Sequence, residues 1–203
     1  MLSKLFAAKK EHVWTLVLFA VSAATGLLAA FVLSTEAIEL AKNANATLPC
    51  SLNAALNCAA VGAHPTASIF GFPNAFVGML TMPVMLTIAI AALMGTRFPR
   101  PFMFMAQLGA AAGVIFAAWM FYVSYTVIQV LCPWCLTTDI AMVVLFISLT
   151  RYNILEGNLY LSKRIDTIAR KFVAQGFDTL VGFLVIVLSA ALIIIKFGQT
   201  LFS

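Results

Sequence analysis

Charge is what this chain has least of. Lysine, arginine, aspartate and glutamate make up 9% of its 203 residues against 63% hydrophobic residues, and mean hydropathy is +1.05. Soluble domains carry about 25% charged residues, so this balance excludes that class. No polar stretch is long enough for a separate soluble domain, and residues 1–203 are expected to form a single membrane domain. The apolar runs lack the alternation of a lipid-facing strand, which excludes a transmembrane β-barrel; helices, which pair their backbone groups internally, remain. The expected fold is an all-α integral membrane protein. Cysteine is scarce as well: only Cys50, Cys58, Cys132 and Cys135 occur.

Five runs approach the ~20 residues that a helical crossing requires: 13–34, 74–94, 104–125, 133–149 and 180–196. Small residues recur at helix-packing spacing in the first (Ser22, Gly26, Ala30) and third (Gly109, Gly113, Ala117), a pattern expected to serve packing within the chain. Basic residues cluster before the first span (Lys4, Lys9, Lys10), between the second and third (Arg97, Arg100), and after the fourth (Arg151, Lys163, Arg164, Arg170, Lys171). All three clusters fall on one side, which the positive-inside rule makes cytoplasmic. The net charge of +5 therefore reports membrane orientation and gives no reason to invoke nucleic acid. The first span exceeds the apolar core of a signal peptide and reads as an uncleaved anchor.

Counting crossings from a cytoplasmic N-terminus puts the loop 35–73 and the junction before the fourth span outside. All four cysteines then share a non-cytoplasmic face, where disulfides form. In Cys132-Pro133-Trp134-Cys135, proline suits the first helical position, which makes Cys132 the N-cap and Cys135 the third helical residue. Free amide donors and the helix dipole there favour a thiolate, so one thiol of the pair is expected to titrate below an ordinary cysteine. The spacing also lets the two sulfurs close into a reversible disulfide. Cys50 and Cys58 flank residues 51–57, a stretch expected to form a short helix capped by Ser51. Two pairs in one compartment suggest thiol-disulfide exchange, with two static disulfides or a four-cysteine zinc site as the alternatives. A helical bundle has little need of a two-residue staple, and the loop spacing is wide for zinc.

The order of motifs, a cysteine pair in the first outer loop, then Phe70-Gly71-Phe72-Pro73-Asn74, then Cys132-Pro133-Trp134-Cys135-Leu136-Thr137-Thr138, resembles the vitamin K epoxide reductase family, most closely its bacterial members. The quinone-coupled oxidase DsbB orders its two pairs the other way. The resemblance implies a four-helix transmembrane bundle around a quinone site, here with a fifth transmembrane helix. It implies that electrons pass from a thioredoxin-like partner to Cys50, then Cys58, then Cys132 and Cys135, with Cys135 attacking the quinone and Asn74 hydrogen-bonding a quinone carbonyl. Asn74 reads equally well as the N-cap of the second helix. Relatives often carry a thioredoxin-like domain after the fifth helix; since the chain stops there, a separate DsbA-like partner on the non-cytoplasmic side is expected.

The chain departs from the family pattern at His64, where serine or threonine is usual, and at Asp139, where an aromatic residue is usual. Asp139 lies four residues after Cys135 and hence on the same helical face, where it could deliver a proton to the reduced quinone. His64 is a weaker candidate for a quinone contact. The expected activity is a membrane thiol-disulfide oxidoreductase that oxidises its partner and reduces ubiquinone, menaquinone or vitamin K, without a metal. The alternatives are an endomembrane vitamin K epoxide reductase and a non-enzymatic membrane protein with structural disulfides. The lack of an endoplasmic-reticulum retention sequence favours a bacterial inner membrane with the active face periplasmic.

Overall fold

The computed structural model describes the backbone of residues 2–53 and 55–201 and the side chains of residues 12–53 and 55–200. Lys4, Lys9 and Lys10 of the first basic cluster thus have side chains outside the described residues. The chain is all-α: α1 (Leu2–Lys42), α2 (Cys58–Ala63), a 3-10 turn (Pro65–Ser68), α3 (Ala75–Leu93), α4 (Arg100–Val123) running into a π turn (Ser124–Ile128), α5 (Pro133–Glu156), α6 (Lys163–Ala174) and α7 (Phe177–Leu201). Five of these helices are long and apolar enough to cross a membrane.

The expected spans 13–34, 133–149 and 180–196 lie inside the longer α1, α5 and α7; 74–94 overshoots α3 by one residue at each end, and 104–125 starts inside α4 and ends in the π turn. The largest difference is at α1. Residues 35–42, expected in the outer loop, continue the helix to Lys42, because Thr35-Glu36-Ala37-Ile38-Glu39-Leu40-Ala41-Lys42 is built largely of strong helix formers. At 41 residues, α1 is ~60 Å long, twice the ~30 Å of a bilayer core, so its last turns stand among the polar loops. α5 runs on to Glu156, where Gly157 ends it at a φ of 71° that only glycine adopts freely.

α1 and α5 form the central pair. α3 packs on α1, while α4 and α7 pack on α5. The small-residue stripes serve this packing, as expected. A Cβ on Gly78 of α3 would stand 2.8 Å from Ala30 Cβ, one on Gly26 would stand 3.0 Å from Met82 Sδ, and one on Gly113 would meet Met142 Cε at 2.5 Å. The interior is filled by Phe19, Ala23, Met82, Met103, Leu145 and Leu149.

Polar bonds tie the end away from the cysteines. Fully buried Asn153 on α5 donates to Gln107 Oε1 on α4 at 3.0 Å, and Gln107 Nε2 donates to Thr150 Oγ1 at 2.8 Å. Interhelical bonds of this kind contribute roughly 0.6–2 kcal/mol each in a bilayer. Arg151 clamps both carboxylate oxygens of Asp178 at 2.9 and 3.0 Å, fastening α7 to α5. The amphipathic α6 carries Lys163, Arg164, Arg170 and Lys171 beside exposed Ile165, Ile168 and Phe172, the pattern of a helix lying in a membrane interface.

The closeness of α1 and α3 gives a test. Gly78→Ala inserts a methyl into a 2.8 Å gap against a rigid Cβ and should destabilise by about 1–3 kcal/mol. Gly109→Ala, whose nearest neighbour is the flexible Met85 Cε at 3.8 Å, should not. Thermal unfolding in detergent separates the two, and equal midpoints would contradict this packing.

Candidate redox site

The inner cysteine pair is set by the turn that precedes it. After the π turn, Gln129 takes a left-handed φ of 58°, reversing the chain so that Ser124 Oγ donates to Val130 O at 2.7 Å. Cys132 then sits at the N-cap of α5 with an extended φ of −114°, Pro133 follows inside the first turn, and Cys135 N donates to Cys132 Sγ at 3.3 Å. This is the arrangement expected from the sequence. Both thiols are free, and Cys132 is buried. A hydrogen bond from Cys135 lowers the Cys132 pKa below the ordinary cysteine value; the backbone N–H groups of Cys135 and Trp134 add to the effect, while burial and the Glu36 charge oppose it. The thiolate character therefore belongs to Cys132.

The outer pair is closed: Cys50 and Cys58 are disulfide-bonded with Cα atoms 5.7 Å apart. The short helix expected over residues 51–57 does not form there. Asn53 Oδ1 instead accepts from Ala55 N and Leu56 N at 2.9 and 2.8 Å, an Asx turn that competes with helix. The helix starts at Cys58, because Asn57 rather than Ser51 is its cap, with Oδ1 accepting from Ala60 N at 3.0 Å and from Ser51 Oγ at 2.9 Å. Ala54, in the middle of that stretch, lies outside the described residues.

Backbone pairing brings the two pairs together. Leu131 N donates to Ala55 O at 2.8 Å and Asn57 N donates to Leu131 O at 2.9 Å, a parallel bridge between Leu56 and Leu131. The bridge sets Cys58, two residues past Leu56, beside Cys132, one residue past Leu131. Cys50, Cys58 and Cys132 consequently share one apolar cluster with Leu48 and Val61, against which Leu33, Leu40, Val130 and Trp134 pack.

Glu36, on the extension of α1, went unnoticed as a site residue in the sequence. It is 8% exposed, its Oε1 is 3.0 Å from Cys50 Sγ, and its Oε2 is buried without a hydrogen-bond partner among the described residues. The signal available was a helix-forming run around it, which would have carried α1 past Ser34. Glu36, Cys50 and Cys58 offer ligand atoms within 4.8 Å of one another. With the two sulfurs bonded to each other, this set presents no thiolate to a metal.

The remaining candidates fall into two groups. Asn74 precedes α3 in the cap position but makes no capping bond. Its Nδ2 donates to Thr66 O at 2.7 Å, and its second amide hydrogen has only Met120 Sδ, at 3.9 Å. His64 Nδ1 lies 2.8 Å from Thr66 Oγ1 and accepts from Thr66 N at 3.4 Å, which assigns the ring hydrogen to Nε2. Both side chains thus brace the loop around Thr66. Cys135 and Asp139 sit one turn apart on α5 in line with Met142, and Asp139 has no hydrogen-bond partner among the described residues. No hydrogen bond among the described residues joins these two groups.

The site makes a titration testable. With the outer disulfide intact, ultraviolet thiolate absorbance should rise with pH below the ~8.5 of a free cysteine, reporting Cys132. Cys135→Ala removes the largest stabilising hydrogen bond while burial remains, so the inflection should move up. An unmoved inflection would contradict the assignment.

The description "Vitamin K epoxide reductase family" belongs to the family model that matches residues 17–150, a stretch containing all four cysteines. No curated protein matches the chain. With the match covering well over half of the 203 residues, the chain belongs to the vitamin K epoxide reductase family of membrane oxidoreductases.

Proposed function

We propose that this protein oxidises a soluble thioredoxin-like dithiol protein and passes the electrons through two cysteine pairs to a quinone. The observation that carries the reading is the bridge holding a closed Cys50–Cys58 disulfide against a free Cys132–Cys135 dithiol. A relay needs such closeness, and Cys50, Cys58 and Cys132 share one apolar cluster. The balance is simple: partner dithiol plus quinone gives partner disulfide plus quinol, with two electrons and two protons transferred.

In the first exchange a partner thiolate attacks Cys50 and Cys58 leaves. After the partner resolves the mixed disulfide, Cys58 attacks Cys132, which releases Cys135. Cys50 then attacks Cys58, which re-forms the outer disulfide and frees Cys132; Cys135, at the start of α5, adds to the quinone ring, and Cys132 attacks Cys135 to close the inner disulfide as quinol leaves. Cys50 is itself buried, at 7% exposure, so partner attack requires the loop around it to open. Asn74 is suited to a quinone carbonyl because its second amide hydrogen is held only by a weak thioether contact that an oxygen would replace. Such a donor stabilises the charge that arrives with the electrons. Asp139, one turn below Cys135, is placed to supply a proton to the reduced ring. His64 is the weaker contact, since its Nδ1 is spent on Thr66.

Arg97 and Arg151 lie at the end away from the cysteines, where Glu156 at the close of α5 is 3.6 Å from His12 near the start of α1, while Lys42 and Lys196 lie at the cysteine end. This supports a cytoplasmic N-terminus and an outward, periplasm-like active face in a bacterial inner membrane.

Purified protein mixed with a reduced DsbA-like protein and a short-chain ubiquinone or menaquinone should form quinol. Cys135→Ser should abolish quinol formation from any donor, whereas Cys50→Ser should block the protein donor and spare dithiothreitol. Asp139→Asn should slow turnover from both donors. If the two cysteine variants match the parent, the relay does not operate.

A further inference from the structure

The Glu36 carboxyl is the one polar group of the outer site with no structural explanation. It lies in an apolar cluster with one oxygen against Cys50 and the other unpartnered. Burying a carboxyl in this way costs several kcal/mol unless something compensates. A hydrophobic residue would pack the same space without that cost, and no cation among the described residues pairs with it: the nearest ionisable residues along α1, Glu39 and Lys42, pair with each other at 3.1 Å. What the carboxyl does touch is a sulfur that changes its proton count in every turnover.

A disulfide sulfur carries no hydrogen. The 3.0 Å contact is therefore an O–H of the carboxylic acid donating to Cys50 Sγ when the pair is oxidised, and an S–H of Cys50 donating to the carboxylate when it is reduced. The same two atoms can pass one proton between them as the S–S bond breaks or re-forms.

We propose that Glu36 is the proton carrier of the outer cysteine pair, taking the proton of the Cys50 thiol when that sulfur attacks and returning it when Cys50 leaves. The inference rests on the relay described above and adds a catalytic residue to it. When the partner resolves its mixed disulfide, the S–S bond to Cys50 breaks, the electron pair stays on Cys50 Sγ, and the Glu36 O–H protonates it. Later, with Cys58 joined to Cys132, the Glu36 carboxylate accepts the Cys50 proton. The Cys50 sulfur attacks Cys58, the Cys50–Cys58 bond re-forms, and the electron pair leaves on Cys132, the thiol whose surroundings stabilise a thiolate. Glu36 ends each cycle as it began, and water exchanges the net protons when the loop opens.

The ionisable groups facing Glu36 are few. The loop and α2 present Cys50 and Cys58, α5 presents Cys135 with Cys132 at its cap, whose thiolate the carboxylate form of Glu36 opposes, and α3 has no ionisable residue. Since the charge reaches the inner pair, a substitution at Glu36 can act there too. Dithiothreitol, which reduces the inner pair without Cys50, isolates that contribution.

The test compares the parent, Glu36→Gln and Glu36→Asp in quinol formation driven by a reduced DsbA-like protein and, separately, by dithiothreitol, across pH. Glutamine keeps the shape of the side chain and removes the proton exchange. Glu36→Gln should slow partner-driven turnover about 10²-fold, the lower end of general acid–base contributions. Its rate should climb with hydroxide over the range in which the parent is flat, while its dithiothreitol-driven rate should change far less than the partner-driven one. Glu36→Asp should recover part of the loss, which a packing role would not allow. Glu36→Gln matching the parent in partner-driven rate and pH profile overturns the role while leaving the relay intact. Equal slowing with both donors overturns the assignment to the outer pair. A parent that draws no electrons from the dithiol protein overturns relay and role together.

Discussion

Two backbone hydrogen bonds on either side of Leu131 hold the outer disulfide against the start of the redox helix. Without the Leu56–Leu131 bridge, Cys50 and Cys58 would belong to a surface loop and Cys132 to a buried helix cap, with no reason to meet. The bridge forms because each side has been made rigid for it. On one side Asn53 and Asn57 fold residues 51–58 into an Asx turn and a helix cap; on the other the π turn and the left-handed Gln129 deliver Leu131 in an extended conformation. Leu131, fully buried, fills the space between them. The surrounding apolar side chains bury three of the four cysteines, Cys50, Cys58 and Cys132.

The bilayer dictates the rest of the architecture. Backbone groups in hydrocarbon must pair within a helix, so the spans could be read from composition, and the CxxC motif fixed its own register through proline at the first helical turn. The starts of the second and fourth spans and the N-cap role of Cys132 were accordingly legible. Small residues at four-residue spacing in the first and third spans also signalled packing within the chain, though not its partners, because in lipid close backbone approach replaces the hydrophobic effect as the driving force.

Hydropathy could not show where α1 ends. Residues 35–42 are polar enough to leave the membrane and yet favour helix, and a window that scores only apolarity stops at the boundary. That error hid Glu36, which became visible as a site residue only when the helix carried it over Cys50. The position of α2 was misjudged for a related reason: serine and asparagine both cap helices, and which of them wins depends on the bond from Ser51 Oγ to Asn57 and on the tertiary pairing of Leu56. The interior bonds of Asn153 and Gln107 were equally invisible, since nothing in an apolar run says which polar residues face each other across two helices. Asn74 shows the opposite case. The sequence offered a helix cap or a ligand donor, and the structure removes the first: the side chain makes no cap bond and donates to Thr66 O and Met120 Sδ.

The central claim is that Cys58 and Cys132 exchange bonds directly. It is tested by mild oxidation in native membranes of the Cys50→Ser, Cys135→Ser double variant, followed by peptide mapping under non-reducing conditions. The account predicts an intrachain Cys58–Cys132 linkage as the main product. Thiols that stay free, or that join only between separate chains, would contradict it.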